Sequence, residues 1–121
     1  MDFSVKSRFD QESKCWSVAV SGEVDIFNSQ DMKKTLTDLI SEKNADMTVN
    51  CAGLEYVDST ALGALVAVLK NVKNYGGIMR LRNVRPNLLK LFRITNLDKA
   101  FVIEAEDEGE GGNWMEGDGG A

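Results

Sequence analysis

The chain has 121 residues, the size of one domain with a single hydrophobic core. It contains no histidine, which excludes Ser-His-Asp and Cys-His catalysis and removes the commonest zinc ligand. Its net charge of −5 has a local origin, because residues 104–121 contain seven acids and no base. We therefore expect a weakly basic domain at residues 1–103, followed by an acidic, Gly-rich tail at residues 104–121 that is disordered.

Several classes of site and partner are not indicated. No stretch approaches the roughly 20 apolar residues of a membrane span, and the amino terminus lacks the pattern of a signal peptide, so we expect a cytoplasmic protein without membrane contact. Cys15 and Cys51 fit no metal spacing and are expected to be reduced thiols. No basic stripe with interleaved aromatic residues suggests direct nucleic-acid binding. No metal or cofactor is predicted.

The first half of the chain predicts two strands, a helix and a third strand. Apolar and polar residues alternate over residues 3–9 and 16–21, which predicts two antiparallel strands joined by a polar turn. A helix should then begin at Asn28 or Ser29, with one of these side chains as its N-cap. Residues 47–51 are short, β-prone and mostly apolar, as expected of an interior strand.

The second half alternates helices and strands. Residues 54–58 are interpreted as an acidic loop that leads into a strongly apolar helix over about 61–72. A strand at 78–82, a helix opened by Pro86 and a short strand at 100–103 complete the order. This order predicts an α/β fold with three main helices and a mostly parallel sheet of four to five strands, whose N-terminal edge strand is antiparallel.

The candidate site lies where the acidic loop meets the apolar helix. Ser59 is interpreted either as a simple N-cap or as an exposed phosphoacceptor, because the N-terminus of a helix accommodates a phosphate. Thr60 is a second candidate acceptor. Since loops at the carboxyl ends of parallel strands share one edge of the sheet, Asp25 after the second strand and Asp58 after the third are expected to flank the hydroxyl.

Two segments resemble the STAS domains, specifically the small stand-alone bacterial anti-sigma factor antagonists. Residues 57–63, Val-Asp-Ser-Thr-Ala-Leu-Gly, are similar to the family's phosphorylation signature. Residues 22–25, Gly-Glu-Val-Asp, are similar to the segment whose Asp lies beside the phosphoserine. The resemblance covers residues 1–103 and implies a STAS-like domain there, with Ser59 as the phosphoacceptor. It assigns partner binding or support of the phosphosite to Asp25, Asp58, Thr60 and Gly63.

The resemblance also implies a partner-switching role in transcription regulation, as in stress responses. The unphosphorylated protein would bind an anti-sigma factor and release its sigma factor. Apart from the resemblance, a monomer is the simplest expectation for the free protein. That partner would itself be a serine kinase and would hold the ATP. Phosphorylation of Ser59 would end the binding, and a PP2C-type serine phosphatase would restore it.

Other functions and surfaces remain open. A non-switching STAS scaffold or accessory subunit, in a stressosome-type or lipid-transport complex, is the main alternative. An enzyme is disfavoured because Ser59 has no evident general base. In the tail, Trp114 and Met115 are either unstructured or a short docking motif. A set of basic residues forms either solvated surface or a face for a partner: Arg80, Arg82, Arg85, Lys90 and Arg93.

Overall fold

A computed structural model describes residues 3–105, with side chains for residues 3–104. Strands and helices alternate along most of this length. In chain order they are β1 (Phe3–Asp10), β2 (Cys15–Val24), α1 (Ser29–Glu42), β3 (Asp46–Asn50), β4 (Leu54–Val57), α2 (Ser59–Asn74), β5 (Met79–Val84), α3 (Pro86–Ile94), a 3₁₀ helix (Leu97–Lys99) and β6 (Val102–Ala105). Glu104 and Ala105, predicted to begin the tail, are therefore strand residues. The predicted disorder of the tail lies otherwise outside the described residues.

The six strands form one mixed sheet. Its order is β1-β2-β3-β5-β6, and β4 also pairs with β2. Only the β1–β2 pair is antiparallel, so the predicted α/β class, the mostly parallel sheet and the antiparallel edge strand are confirmed. The helical crossovers between parallel strands follow from the alternating order of elements.

The predicted strand count was too low because residues 54–57 form β4 instead of a loop. β4 has only four residues, and Glu55 and Tyr56 are both exposed, so it lacks the alternation that identifies a strand. It forms because β2 is ten residues long and extends beyond β3. The first part of β2 pairs with β3, and the part from Gly22 to Val24 pairs with β4 across a register shift. Gly22 has φ of +93°, which favours glycine at this irregular position.

The core lies on one face of the sheet, between the strands and the three helices. Trp16, Val18 and Val20 point into it from β2, and the buried apolar residues of all three helices belong to the same cluster. Cys51 is also part of this core, and burial raises the pKa of its thiol to about 12. Both cysteines are free thiols, as predicted.

The opposite face of the sheet is not covered by the helices, and we call it the open face. Its residues alternate with the core residues along each strand and are exposed or half-buried. Strand pairing arranges ten of them in two rows across the sheet, which run Arg8, Ser17, Thr48, Arg80, Val102 and Lys6, Ala19, Asn50, Arg82, Glu104.

Candidate functional site

The β2–α1 turn and the N-terminus of α2 lie side by side at one edge of the sheet, and Asp58 connects them. Its backbone N–H donates to the carbonyl oxygen of Val24 at 3.2 Å. Its Oδ2 accepts a hydrogen bond from the backbone N–H of Ile26 at 3.0 Å. The predicted meeting of the Asp25 and Asp58 segments is thus found. The positions differ in one respect, because Asp58 follows β4 and not β3.

Asp58 is also the N-cap of α2. Its Oδ1 accepts hydrogen bonds from the backbone N–H of Ala61 at 2.9 Å and from the Thr60 hydroxyl at 2.6 Å. The interpretation of Ser59 as the N-cap was therefore wrong: Ser59 is the first helical residue. An aspartate is an equally good cap, and it stands one position earlier.

The two hydroxyls at this helix end differ in their surroundings. Both Ser59 and Thr60 are exposed. The Thr60 hydroxyl donates to Asp58, whereas the Ser59 hydroxyl makes no hydrogen bond within residues 3–105. Ser59 therefore presents an unengaged hydroxyl to solvent beside the first backbone N–H groups of α2, which have no partner inside the helix.

The carboxylate of Asp58 accepts three hydrogen bonds, which affect its pKa. The Thr60 hydroxyl, followed by the backbone N–H of Ala61, holds its pKa below the usual value. The backbone N–H of Ile26 acts in the same direction. Asp58 is consequently ionised at neutral pH, and a fixed negative charge stands next to Ser59.

Asp25 has a more local role than predicted. Its Oδ1 accepts from the backbone N–H of Phe27 at 2.9 Å, which closes an Asx-type turn. Neither carboxylate is hydrogen-bonded to Ser59 in the described part of the chain: Asp58 bonds to Ile26, Thr60 and Ala61, and the Asp25 carboxylate bonds within its own turn. The side chain of Asn28 or Ser29 was predicted to cap α1, but the Asn28 side chain makes no cap hydrogen bond. Its amide bonds back to the backbone N–H of Asp25 and the carbonyl of Glu23 instead.

Two apolar residues that the sequence interpretation missed stand at the tip of this turn. Ile26 is 63% exposed and Phe27 is 89% exposed. Tyr56 on β4, opposite Glu23 in the strand pairing, is a further exposed ring. Clustered exposed apolar residues next to polar ones are typical of protein-binding surfaces. The available signal was a pair of large apolar residues inside a turn, where no helix or strand periodicity requires them.

Gly63 lies one helical turn after Ser59 and is exposed. A Cβ atom added there would meet nothing within 4 Å. Glycine inside a helix costs roughly 0.5–1 kcal/mol relative to alanine, and the packing of this chain gives no reason for it. The exposed side of α2 near Ser59 is therefore unusually flat, and another molecule can approach its backbone closely.

The family profile of the STAS domain matches residues 8–109. The chain belongs to the STAS domain family. Among its relatives, an anti-sigma-B factor antagonist of Bacillus subtilis is 36% identical over 92 residues, covering 76% of this chain and 84% of its own. An anti-sigma-B factor antagonist of Staphylococcus aureus is 30% identical over 99 residues, covering 82% and 92% of the two chains.

Solved STAS structures share the fold. The anti-sigma factor antagonist SpoIIAA in its unphosphorylated form superimposes with a TM-score of 0.62 and 16% identity, over 75% of this chain and 83% of its own. Its phosphorylated form superimposes with a TM-score of 0.63 and 17% identity, over 88% of this chain and 95% of its own. The family resemblance predicted from residues 22–25 and 57–63 is thereby confirmed. No helix within residues 3–105 of this STAS protein is long and apolar enough to cross a membrane.

Proposed function

We propose that this STAS protein is an anti-sigma factor antagonist whose binding is switched by phosphorylation of Ser59. The observation that carries the proposal is the Ser59 hydroxyl at the N-terminus of α2, which is exposed, makes no hydrogen bond to the residues that the structure describes and lies directly beside the ionised Asp58. The names of the relatives support the antagonist role. The alternative of a scaffold without a switch has no comparable observation in its favour.

Phosphorylation would change the charge of this surface without requiring the fold to change. A phosphoserine adds about −1.5 to −2 charges at neutral pH. The free N–H groups and the positive end of the α2 dipole stabilise such a group at the first helical position. The added charge would stand next to Asp58, whose carboxylate already accepts three hydrogen bonds. A partner docked here would face two neighbouring negative groups that it must desolvate.

Ser59 is the proposed acceptor rather than Thr60 for a geometric reason. The Thr60 hydroxyl donates to the carboxylate that caps the helix, at 2.6 Å. Phosphorylation of Thr60 would remove that donor and place a phosphate against Asp58. Phosphorylation of Ser59 leaves the cap and the bridge from Asp58 to Ile26 in place.

The surface around Ser59 suggests how the unphosphorylated protein binds. Ile26 and Phe27 supply exposed apolar area, and Gly63 leaves the adjacent helix surface flat. We propose that an anti-sigma factor docks on this surface. In the switching cycle it also acts as the serine kinase that holds ATP, and a PP2C-type phosphatase removes the phosphate. The STAS protein itself is a binding protein without catalytic activity or cofactor, and a monomer when free.

The test begins with the protein isolated from its native cells under several growth conditions, followed by intact-mass measurement and phosphopeptide mapping. The expected result is one phosphate on Ser59 whose occupancy changes with condition. Proteins that co-purify with the Ser59→Ala variant but not with Ser59→Asp then identify the partner. Absence of phosphate in all conditions, together with equal capture by both variants, would instead support the scaffold.

A further inference from the structure

β1 forms one edge of the sheet, and no strand within residues 3–105 pairs with its outer side. All eight residues of β1 pair with β2 in one continuous register, from Phe3 opposite Gly22 to Asp10 opposite Cys15. In an antiparallel pair, the N–H and C=O groups of every second residue point away from the partner strand. Half of the backbone hydrogen-bonding groups of β1 therefore face outward, where a further strand can bind them.

This edge lacks several features that protect the edges of β-sheets from other chains. Common protections are very short strands, prolines and β-bulges. β1 has eight residues, contains no proline and shows no register shift, whereas β6 at the other edge of the sheet has four residues. The outer side of β1 is consequently the longest regular strand edge in the described part of the chain.

The side chains of β1 give this edge an apolar face and a charged face. Phe3, Val5 and Phe9 are half-buried and pack against the core. Because β1 has no outer neighbour within residues 3–105, part of their surface stays exposed, and an added strand would cover it. On the open face, Lys6 and Arg8 are exposed. A strand that fits this edge therefore needs apolar side chains on one face and charged side chains on the other.

The charges of β1 on the open face have a fixed order. Lys6 and Arg8 are positive, and Asp10, two positions further along the same face, is negative. Hydrogen bonds from the Ser13 side chain and from the backbone N–H of Glu12 hold the pKa of Asp10 below its usual value, so this carboxylate is ionised at neutral pH. The edge is thus not uniformly basic, and its pattern of two positive charges and one negative charge has a direction along the strand.

The neighbours of the two cations on β2 are uncharged. Ala19 lies opposite Lys6, and Ser17 lies opposite Arg8. Neither cation forms an ion pair within residues 3–104. Directly opposite residues are the closest side-chain neighbours in a strand pair, so the next strand outward would supply the nearest charges to both.

The basic residues singled out in the sequence do not border this edge. Arg80 and Arg82 lie on β5, which pairs with β3 on one side and with β6 on the other. Lys90 and Arg93 belong to α3, and Arg85 precedes that helix. The charges that can select a strand at the β1 edge are therefore those of β1 itself.

A second copy of β1 does not complement this order of charges. The two antiparallel registers that keep like faces together and overlap most pair residues 3–9 or residues 4–10 of the two chains. They place Lys6 opposite Lys6 or opposite Arg8 of the second copy, and like charges directly opposite each other destabilise a strand pair. A register that sets Lys6 against Asp10 overlaps only over residues 6–10 and leaves Arg8 opposite Arg8.

We propose that the outer edge of β1 binds an extended segment of another protein by antiparallel strand addition. On the open-face side, the segment carries acidic residues opposite Lys6 and Arg8 and a basic residue opposite Asp10. On the other side its residues are apolar and cover Phe9 and Val5. From its N-terminus, the segment therefore has the order basic, apolar, acidic, apolar, acidic, apolar. Its backbone hydrogen bonds supply affinity, and its side chains supply specificity.

The test titrates the isotope-labelled full-length protein with the synthetic peptide acetyl-Lys-Val-Glu-Val-Glu-Val-Thr-amide, up to millimolar concentration. The matched control, acetyl-Glu-Val-Lys-Val-Lys-Val-Thr-amide, reverses every charge. The first peptide should bind about tenfold more tightly, because three cross-strand charge pairs change sign between the two. Non-specific attraction would favour the control instead, since the protein has a net charge of −5 and the control is the more positive peptide.

Hydrogen exchange, followed by NMR, identifies the mode of binding. The first peptide should slow the exchange of the backbone N–H groups at every second residue of β1, because only those groups point outward. A peptide that lies across a face of the sheet would not produce this alternation. Ser59 and its neighbours are not part of β1, so the result is independent of the proposed phosphorylation switch.

Charge reversal on the protein supplies a second test. The double variant Lys6→Glu with Arg8→Glu should prefer the charge-reversed peptide. The double variant Lys70→Glu with Lys90→Glu changes the net charge equally on exposed helix residues and should keep the original preference. Circular dichroism verifies that both variants are folded, and the two peptides on the unmodified protein decide the question if either is not.

Four outcomes would overturn the proposal. Two of them are the absence of binding by the first peptide and equal affinity for both peptides. A third is a preference that survives the charge reversal of Lys6 and Arg8. The fourth is slowed exchange at the same alternate residues without peptide, as the protein concentration is raised, which would assign the edge to a second copy.

Discussion

The Asp58 carboxylate and the backbone N–H of Ile26 are joined by a 3.0 Å hydrogen bond, although 32 positions separate them in the chain. The same carboxylate caps α2 through the backbone N–H of Ala61. One side chain therefore links the helix that carries Ser59 to the turn that exposes Ile26 and Phe27. A charge added at Ser59, the proposed phosphosite, would stand next to the residue that also positions the apolar part of the surface.

The linkage predicts a specific dependence of stability on pH. Because the pKa of Asp58 is lowered by folding, its contribution to stability is complete above the unfolded value of 3.8. The contribution is lost as the pH falls through the lower folded value. The urea midpoint of Asp58→Asn, which retains a capping oxygen but cannot ionise, should therefore lie below that of the wild type by a constant amount at neutral pH. The difference should shrink only below pH 3.8, and a difference that is already closing at pH 6 would contradict the lowered pKa.

Thr60 should control that pKa, whereas Ser59 should not. The Thr60 hydroxyl is the largest of the influences that lower the pKa of Asp58, so Thr60→Ala should raise it towards the ordinary value. Ser59→Ala removes no partner of this carboxylate and serves as the matched control. The measurement is an NMR titration of the Asp58 side-chain carbon in both variants. Equal pKa values in the two variants would show that the Thr60 contact is not maintained in solution.

The substitution Gly63→Ala should raise the stability of the protein and lower its affinity for the partner. The variant should be more stable by about 0.5–1 kcal/mol, because alanine is the better helix former and its methyl group has open space. Its affinity for the anti-sigma factor should fall, since the added Cβ occupies the flat surface near Ser59. Gly76→Ala is the control: with φ of +82° at this position, alanine should destabilise by about 1–2 kcal/mol. Calorimetry and titration against the purified partner measure the two quantities, and unchanged affinity of Gly63→Ala would exclude close contact at this position.

Phe27 should contribute to binding but hardly to folding. It is 89% exposed, so Phe27→Ala should change the free energy of unfolding by less than about 0.5 kcal/mol. If the turn docks on the partner, the same change should weaken binding by about 2 kcal/mol, as for a central aromatic contact. Ile94, 69% exposed on α3 and remote in the chain from the site, provides the control Ile94→Ala, which should leave the affinity unchanged. Equal effects of the two substitutions would place the interface elsewhere.

The sequence predicted most of the fold because its elements carry local signals. Alternation in β1 and β2, the apolar run of α2 and Pro86 at the start of α3 each identify an element without reference to the rest of the chain. β4 escaped prediction because its four residues show no alternation, and only pairing with the extended end of β2 makes them a strand.

The sequence indicated the polar residues of the candidate site, but neither its apolar residues nor its arrangement. Asp58, Ser59 and Asp25 stand out in the sequence as charged and hydroxyl residues at element ends. Which of them caps α2, which hydroxyl is engaged and which carboxylate serves only its own turn depend on contacts across the chain.

By itself the sequence determined the family, the α/β class and the identity of the residues near Ser59, since these follow from local patterns and short motifs. Only the tertiary structure decided that Asp58 joins two segments and that Ile26 and Phe27 stand exposed beside it. It alone also placed Lys6 and Arg8 on one face with Arg80 and Arg82. The physical reason is that strand pairing and helix docking bring distant residues together. The periodicity within a single strand or helix does not indicate which other elements will lie beside it.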